Sequence, residues 1–190
     1  GGGTRAVGAA RGGAADGGGG LVAATPGAAG ELSRPYVPGP GAGAAPKHGD
    51  NGRMHLTYSG AVWSGPIAFD EAGVRPTDID YVSIYDSFTI TVLETLEDLG
   101  FCAKGEGGRF VMDGTLQAPF GKLPFNTDGG GLCNNHPGNR GGMTKVIEAV
   151  RQLRGEANPE VQVPNCELAL AHGTGGSLGT RHGAATLIME

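Results

Sequence analysis

Asp78-Ile79-Asp80-Tyr81-Val82-Ser83-Ile84-Tyr85-Asp86-Ser87-Phe88 is the stretch on which the fold turns. Residues 81–85 are an apolar, β-prone run and predict a strand. Asp86 can cap a helix beginning just after it, because a carboxylate there accepts an N–H that the first turn leaves unpaired. Phe88, Val92, Leu96 and Leu99 then keep helical spacing until Gly100, which ends the pattern. Glu94, Glu97 and Asp98 fall on the other faces of that helix. A strand running into an amphipathic helix is the start of an α/β unit.

Working upstream, residues 76–80 read as a turn. Ser64-Gly65-Pro66 supplies a capping serine and an early proline for a short helix over residues 67–72, closed by Gly73. Residues 31–47 are rich in Pro and Gly and read as a connecting loop, and residues 21–24 as a short strand. Downstream, residues 105–119 carry an alternation around Arg109, Phe110, Val111 and Met112 that predicts a hairpin excursion. Residues 123–126 read as a strand entering a glycine-rich loop over 128–142. A second helix follows, with Met143, Val146, Ile147, Val150 and Leu153 on one face and Lys145, Glu148 and Gln152 opposite. Two short strands, 167–172 and 185–189, joined by residues 173–183, finish the chain. The pattern predicts an α/β fold with a buried mixed sheet packed by helices.

Glycine supplies 38 of the 190 residues, about one in five against a usual share of roughly 7%. The excess is concentrated in residues 1–20, which offer too little apolar surface to offset the entropy of ordering and are expected to be disordered. The chain divides into that segment, a partial unit over 21–55, and a folded domain over 56–190. The formal net charge is −5 with no basic run, so nucleic acid has no electrostatic footprint to bind. No apolar stretch approaches the roughly 20 residues that span a bilayer, and no charged segment leads into an apolar one at the N-terminus. Cys102, Cys133 and Cys166 lack paired spacing, which predicts neither a disulfide framework nor a metal site and fits a reducing, cytoplasmic setting.

Three segments place polar, titratable side chains just beyond strand ends, where sites form in α/β folds. They are Tyr85-Asp86-Ser87-Phe88, Asn134-Asn135-His136-Pro137-Gly138 and His172-Gly173-Thr174-Gly175-Gly176. Each also has a plain reading: Asp86 as a helix cap, Tyr85 as a core residue with a satisfied hydroxyl, His136 as a turn residue. The glycines after His172 would let backbone N–H groups approach a ligand closely, as an oxyanion hole requires. Two imidazoles and a phenol are able to perform general acid–base work, although spacing alone does not bring them together.

Taken in order, these segments resemble the C-terminal half of thiolases, above all the lipid-transfer-protein, sterol-carrier-type branch. The resemblance runs from about Leu56 to Glu190, with fainter similarity from Asp16. Ser64-Gly65-Pro66 matches the Gly-Pro that opens a helix near the active site. The stretch ending Tyr85-Asp86-Ser87-Phe88 matches the strand running into Asn-Glu-Ala-Phe. Asn135-His136-Pro137 matches Gly-His-Pro, and His172-Gly173-Thr174-Gly175-Gly176 matches the late Cys-x-Gly motif.

The resemblance implies the C-terminal half of the thiolase fold and chemistry on acyl-CoA thioesters, with coenzyme A as part of the substrate and no permanently bound cofactor or metal. By it, His136 activates the nucleophile and helps bind the thioester oxygen. His172 takes the place of the second cysteine, the base at the substrate α-carbon. Tyr85 takes the place of the asparagine that organises the oxyanion hole. Thr174, Gly175 and Gly176 would supply the second oxyanion site, with Asp86 beside them. The family's nucleophilic cysteine belongs to an N-terminal half, so acyl transfer by this portion alone is expected to be incomplete, and the isolated half to self-associate. Relatives with substitutions like these resemble retro-aldolases on β-hydroxyacyl-CoA, for which a Tyr85–His136 pair would remove the β-hydroxyl proton. A non-catalytic acyl-CoA- or lipid-binding fragment is the third expectation. The resemblance further implies a homodimer and a small OB-fold/zinc-ribbon partner protein.

Overall fold

The computed structural model describes residues 39–44, 57–136, 141–178 and 181–190. In chain order the elements are β1 (Gly39–Ala44), α1 (Ala61–Ala72), a 3₁₀ turn (Pro76–Asp78), β2 (Tyr81–Ile84), α2 (Thr89–Asp98), α3 (Gly107–Phe110), α4 (Gly130–Cys133), α5 (Gly141–Leu153), β3 (Ala169–Leu178) and β4 (Arg181–Met189). The expected disordered segment over 1–20 and strand over 21–24 lie outside the described residues.

The four strands form one sheet in the order β1-β4-β3-β2. β2 runs parallel to β3, while β3 with β4 and β4 with β1 are antiparallel. The sheet is therefore mixed, as the sequence pattern predicts. Tyr81–Ile84 is buried at every position, because side chains alternate between two covered faces. Val82 and Ile84 join Leu170 and Ile188 against Ala68 and Phe69 of α1 and Val92 and Leu96 of α2. Tyr81 joins Ala169, Ala171 and Met189 against Val146 and Ala149 of α5. The result is three layers, with α1 and α2 on one face of the sheet and α5 on the other.

Several local expectations give way to tertiary contacts. The helix expected at 67–72 begins at Ala61, with Pro66 inside it and Ser64 fully buried rather than capping. Gly73 does end it, in the left-handed region at φ 71°, a conformation that costs glycine least. Within the expected loop 31–47, residues 39–44 form β1 at the edge of the sheet, a place that tolerates Pro40 because an edge strand leaves one side unpaired. The expected hairpin over 105–119 is instead the single helical turn α3 followed by turns, with the Gly107 N–H donating to Glu97 Oε1 at 2.8 Å. Residues 123–126 supply one parallel bridge, Phe125 to Val82, rather than a full strand. The glycine-rich joint 173–183 is mostly strand: β3 reaches Leu178 and β4 starts at Arg181. Glycine permits extended backbone as readily as a turn, and here the ladder decides.

Two helix faces also differ from expectation. On α2, Phe88 is the exposed N-cap residue and not part of the buried stripe, while Asp98 is buried. Asp98 accepts from Ser59 N and Oγ at 2.6 and 2.8 Å and pairs with Lys104 Nζ at 2.6 Å. On α5, Lys145, Glu148 and Gln152, expected opposite the apolar face, are all buried. Gln152 donates to the Val161 carbonyl at 3.1 Å and accepts from Val163 N at 2.8 Å, so the polar face of α5 serves chain segments instead of water.

Candidate active site

Tyr85 follows directly on β2, and the end of that strand is fixed by a side chain. Asn126 Oδ1 accepts from Ile84 N at 2.9 Å, and its Nδ2 donates to the Ile84 carbonyl at 2.8 Å. The amide thus imitates a neighbouring strand for one residue. Tyr85 N donates to the His172 carbonyl at 2.9 Å, continuing the β2–β3 ladder by one step. The Tyr85 ring lies over Gly141 at the start of α5, where a Cβ would come within 3.1 Å of its Cε2.

His136 arrives from the loop after residue 126. Its Nε2 is 2.7 Å from Tyr85 Oη, and the two rings are 5.9 Å apart between centroids, tilted by 39°. That distance is a hydrogen bond, in which the phenol donates when the imidazole tautomer leaves Nε2 as an acceptor. The pair is open to solvent on one side, since His136 is exposed and Tyr85 half-buried.

Asp86 does not cap α2, whose N-cap Phe88 makes no side-chain cap bond. Its carboxylate is buried and reaches across to α4, accepting from Gly131 N at 2.6 Å and Leu132 N at 3.3 Å. The first turn of any helix leaves such N–H groups unpaired, and here a carboxylate from another part of the chain takes them. Asp128 accepts from Gly130 N at 3.0 Å and from Asn135 Nδ2, the residue before His136.

His172 is set apart from the Tyr85–His136 pair. In the β2–β3 register it lies beside Ile84, so its side chain projects to the α1 face while Tyr85 lies on the α5 side. Gly173, the next residue, lies against Gly142 of α5, where its Cβ would be 3.5 Å from that Cα. His172 Nδ1 is 2.9 Å from Thr186 Oγ1, which is 2.8 Å from Ser64 Oγ on α1. The imidazole is 1% exposed and its Nε2 has no hydrogen-bond partner. Burial disfavours the charged form and lowers its pKa to about 4. Thr174 and Gly175 pair with Ala184 and Gly183 in the ladder, and the register slips between Gly175 and Leu178, a bulge that includes Gly176.

Neither Cys102 nor Cys166 is an activated thiol by its surroundings. Burial, and secondarily Asp80, pushes Cys166 up to about 12. Burial, then Glu97 and Glu106, raises Cys102, and Cys133 is exposed on α4. Among the described residues no three His, Cys, Asp or Glu side chains converge to hold a metal, and no helix is long and apolar enough to cross a membrane.

Sequence reasoning missed Asn126, Asp128, Lys145 and the Ser64–Thr186 pair. All act through backbone or through a second side chain, and Ser64, the one that stands in a motif, reads there as a helix cap. The polar positions on α5 give a signal too, but by spacing they say only that Lys145 lies opposite the apolar face.

The family model for the thiolase C-terminal domain-like family matches residues 43–190, and the chain belongs to that family. It is 42% identical over 113 residues to an acetyl-CoA acetyltransferase of Methanothermobacter thermautotrophicus, covering 60% of this chain and 29% of that protein. It is 44% identical over 91 residues to a steroid side-chain-cleaving aldolase of Thermomonospora curvata, covering 48% of this chain and 22% of that protein. A solved structure of an Ltp2-ChsH2(DUF35) aldolase superposes with a TM-score of 0.67 at 32% identity, covering 82% of this chain and 39% of that one. The chain therefore spans less than two fifths of the length of these relatives. One of these relatives is named an acetyltransferase and two are named aldolases.

Proposed function

We propose that the chain forms the C-terminal part of an enzyme that breaks a carbon–carbon bond beside a coenzyme A thioester, by retro-aldol cleavage of a β-hydroxyacyl-CoA. The observation that carries this reading is the 2.7 Å contact between Tyr85 Oη and His136 Nε2. Such a pair relays a proton: the phenol oxygen takes the proton of the substrate β-hydroxyl as its own passes to the imidazole. The O–H electron pair becomes the new carbonyl π bond, and the Cα–Cβ bond breaks. Its electrons go to Cα and are delocalised onto the thioester oxygen as an enolate, which then takes a proton at Cα. The products are a ketone or aldehyde and a shortened acyl-CoA. Backbone N–H groups at the Gly175–Leu178 bulge, beyond Thr174, are the proposed donors to the enolate oxygen. No thiol is consumed, which suits a region whose Cys102 and Cys166 thiols are both held above their ordinary pKa.

Thiolase-type acyl transfer is the second reading, and His172 favours it. By the family resemblance His172 takes the place of the base at the substrate α-carbon, and its Nε2 has no partner, while burial makes the imidazole a weaker base than usual. That chemistry needs a cysteine nucleophile from outside these residues. Two further proposals stand beside this: a homodimer, which the family resemblance implies, and a partner protein, since the matched aldolase structure pairs Ltp2 with ChsH2(DUF35).

The test is product analysis with a β-hydroxyacyl-CoA and, separately, a β-ketoacyl-CoA plus free CoA. Release of a ketone or aldehyde without CoA consumption supports cleavage. CoA-dependent thiolysis selects acyl transfer. Tight binding of both without turnover leaves the non-catalytic reading.

A further inference from the structure

Lys145 is a buried cation beside the two carboxylates that hold the chain leading to His136. It lies on α5, its side chain is 1% exposed, and its Nζ has no hydrogen-bond partner. Asp128 Oδ1 is 3.7 Å away and Asp86 Oδ1 is 4.0 Å away. Those distances are too long for hydrogen bonds but well within electrostatic reach.

Both carboxylates are enclosed, at 5% exposed for Asp86 and 10% for Asp128, and both perform the same task. Asp86 grips Gly131 and Leu132, while Asp128 grips Gly130 and Asn135. Between them they hold the chain that ends at His136. Burying two carboxylates is costly without an opposite charge beside them. A buried ammonium facing both supplies that charge.

The same helix face fastens the same chain segment at two more points. Thr144 Oγ1 donates to Asn135 Oδ1 at 3.1 Å, and Thr127 Oγ1 donates to Glu148 Oε1 at 2.5 Å. Lys145 stands between these two fastenings.

We propose that Lys145 is a positioning residue, whose buried ammonium supplies the counter-charge for Asp86 and Asp128 so that they hold the segment carrying His136 against the Tyr85 phenol. Its consequence for turnover rests on the Tyr85–His136 reading above; its consequence for the segment's order does not. Lys145 makes no hydrogen bond to either member of that pair and is not assigned a catalytic role.

The experiment compares the full chain with Lys145→Met, Lys145→Arg and the double variant Lys145→Met/Asp128→Asn. Amide hydrogen exchange is read at Gly131 and Leu132 against amides of β2 and β3. Nitrogen correlations of the His136 imidazole report its hydrogen bond to Tyr85. In Lys145→Met, exchange at Gly131 and Leu132 is expected to rise about tenfold or more above any change in β2 and β3, with loss of the His136 hydrogen-bonded signal. Lys145→Arg restores both readouts. The double variant recovers protection at Gly131 and Leu132, because one buried carboxylate rather than two is left without its counter-charge. Lost packing would not be relieved by Asp128→Asn, so this rescue separates charge from shape. If Lys145→Met does not fold, a folded double variant supports the proposal and an unfolded one overturns it. Local exchange equal to that of the unchanged chain, or loss spread evenly through β2 and β3, also overturns it. None of these readouts involves substrate, so they stand or fall separately from the cleavage reaction.

Discussion

Tyr85 Oη and His136 Nε2, 51 residues apart in the chain, meet at 2.7 Å. Each is held by a different device: Tyr85 by the Asn126 amide at the end of β2, His136 by a loop gripped by Asp86 and Asp128. If the two act as one relay, removing either should cost nearly as much as removing both. Tyr85→Phe and His136→Ala are each expected to lower kcat by about 10²–10³, within the usual range for general acid–base groups, with KM little changed. The double variant should add less than about tenfold to the larger single loss. Steady-state kinetics on the three variants checks this, and multiplicative losses would show two independent residues.

The approach of α5 to Tyr85 depends on a missing side chain. A Cβ on Gly141 would sit 3.1 Å from Tyr85 Cε2 and 3.4 Å from Cδ2. Gly141→Ala must move the ring by a few tenths of an ångström, away from α5. A smaller loss in kcat than for Tyr85→Phe is expected, about tenfold, because the phenol survives out of place. Gly130→Ala should be more damaging. Its φ is +62°, and a Cβ there would run into the Asp86 carboxylate that holds α4, adding backbone strain to a displaced loop. Parallel measurement of kcat and thermal stability separates the two: Gly141→Ala should lose rate with little change in melting temperature, and Gly130→Ala should lose both.

The layers and the mixed sheet were legible because they rest on patterns the chain repeats: an apolar strand at Tyr81–Ile84 buried on both faces, and helical spacing at Val92, Leu96 and Leu99. Tyr85 and His136 were legible as candidates from their places at strand and loop ends. Their meeting was not, because the contact depends on how a 51-residue excursion folds back. Polarity misled on α5. Lys145, Glu148 and Gln152 look like a solvated face, but a helix can spend polar side chains on neighbouring loops, and sequence does not say which neighbour is coming. Glycine misled in β3 for a related reason, since Gly173 and Gly175 reveal permission to turn, and the antiparallel partner in β4 decides against it. Asn126 was invisible because its role is to imitate backbone.

Thr186 joins two layers through one hydroxyl, which contacts Ser64 Oγ at 2.8 Å and His172 Nδ1 at 2.9 Å. All three residues are almost fully buried. Thr186→Val keeps the shape and leaves two buried polar atoms without that partner, at a cost of about 2 kcal/mol or somewhat more. Thr186→Ser, which keeps the hydroxyl, should lose less. Denaturant unfolding of the three proteins at neutral pH provides the check. Equal stability of Thr186→Val and the unchanged chain would mean that the hydroxyl bridge contributes nothing net.

His172 should make the fold sensitive to acid well before carboxylates protonate. Its pKa falls from an ordinary 6.5 to about 4 through burial, so between those values the unfolded chain binds a proton that the folded chain refuses. Stability linked to this group is therefore fully present above about pH 6.5 and is lost as pH falls toward 4, to a total of about 3 kcal/mol. Replacing the imidazole removes the titrating group. His172→Asn should lower stability at pH 7, through lost packing and an altered contact to Thr186, yet show a flatter dependence between pH 6.5 and 4.5. The informative quantity is the difference between the two stability curves, because every other titrating group is common to both proteins. A difference that narrows as pH falls supports a neutral buried imidazole. A difference constant across the range would mean that His172 is already protonated or is reached by water in the folded chain, and would remove the basis for treating its Nε2 as a base in the acyl-transfer reading.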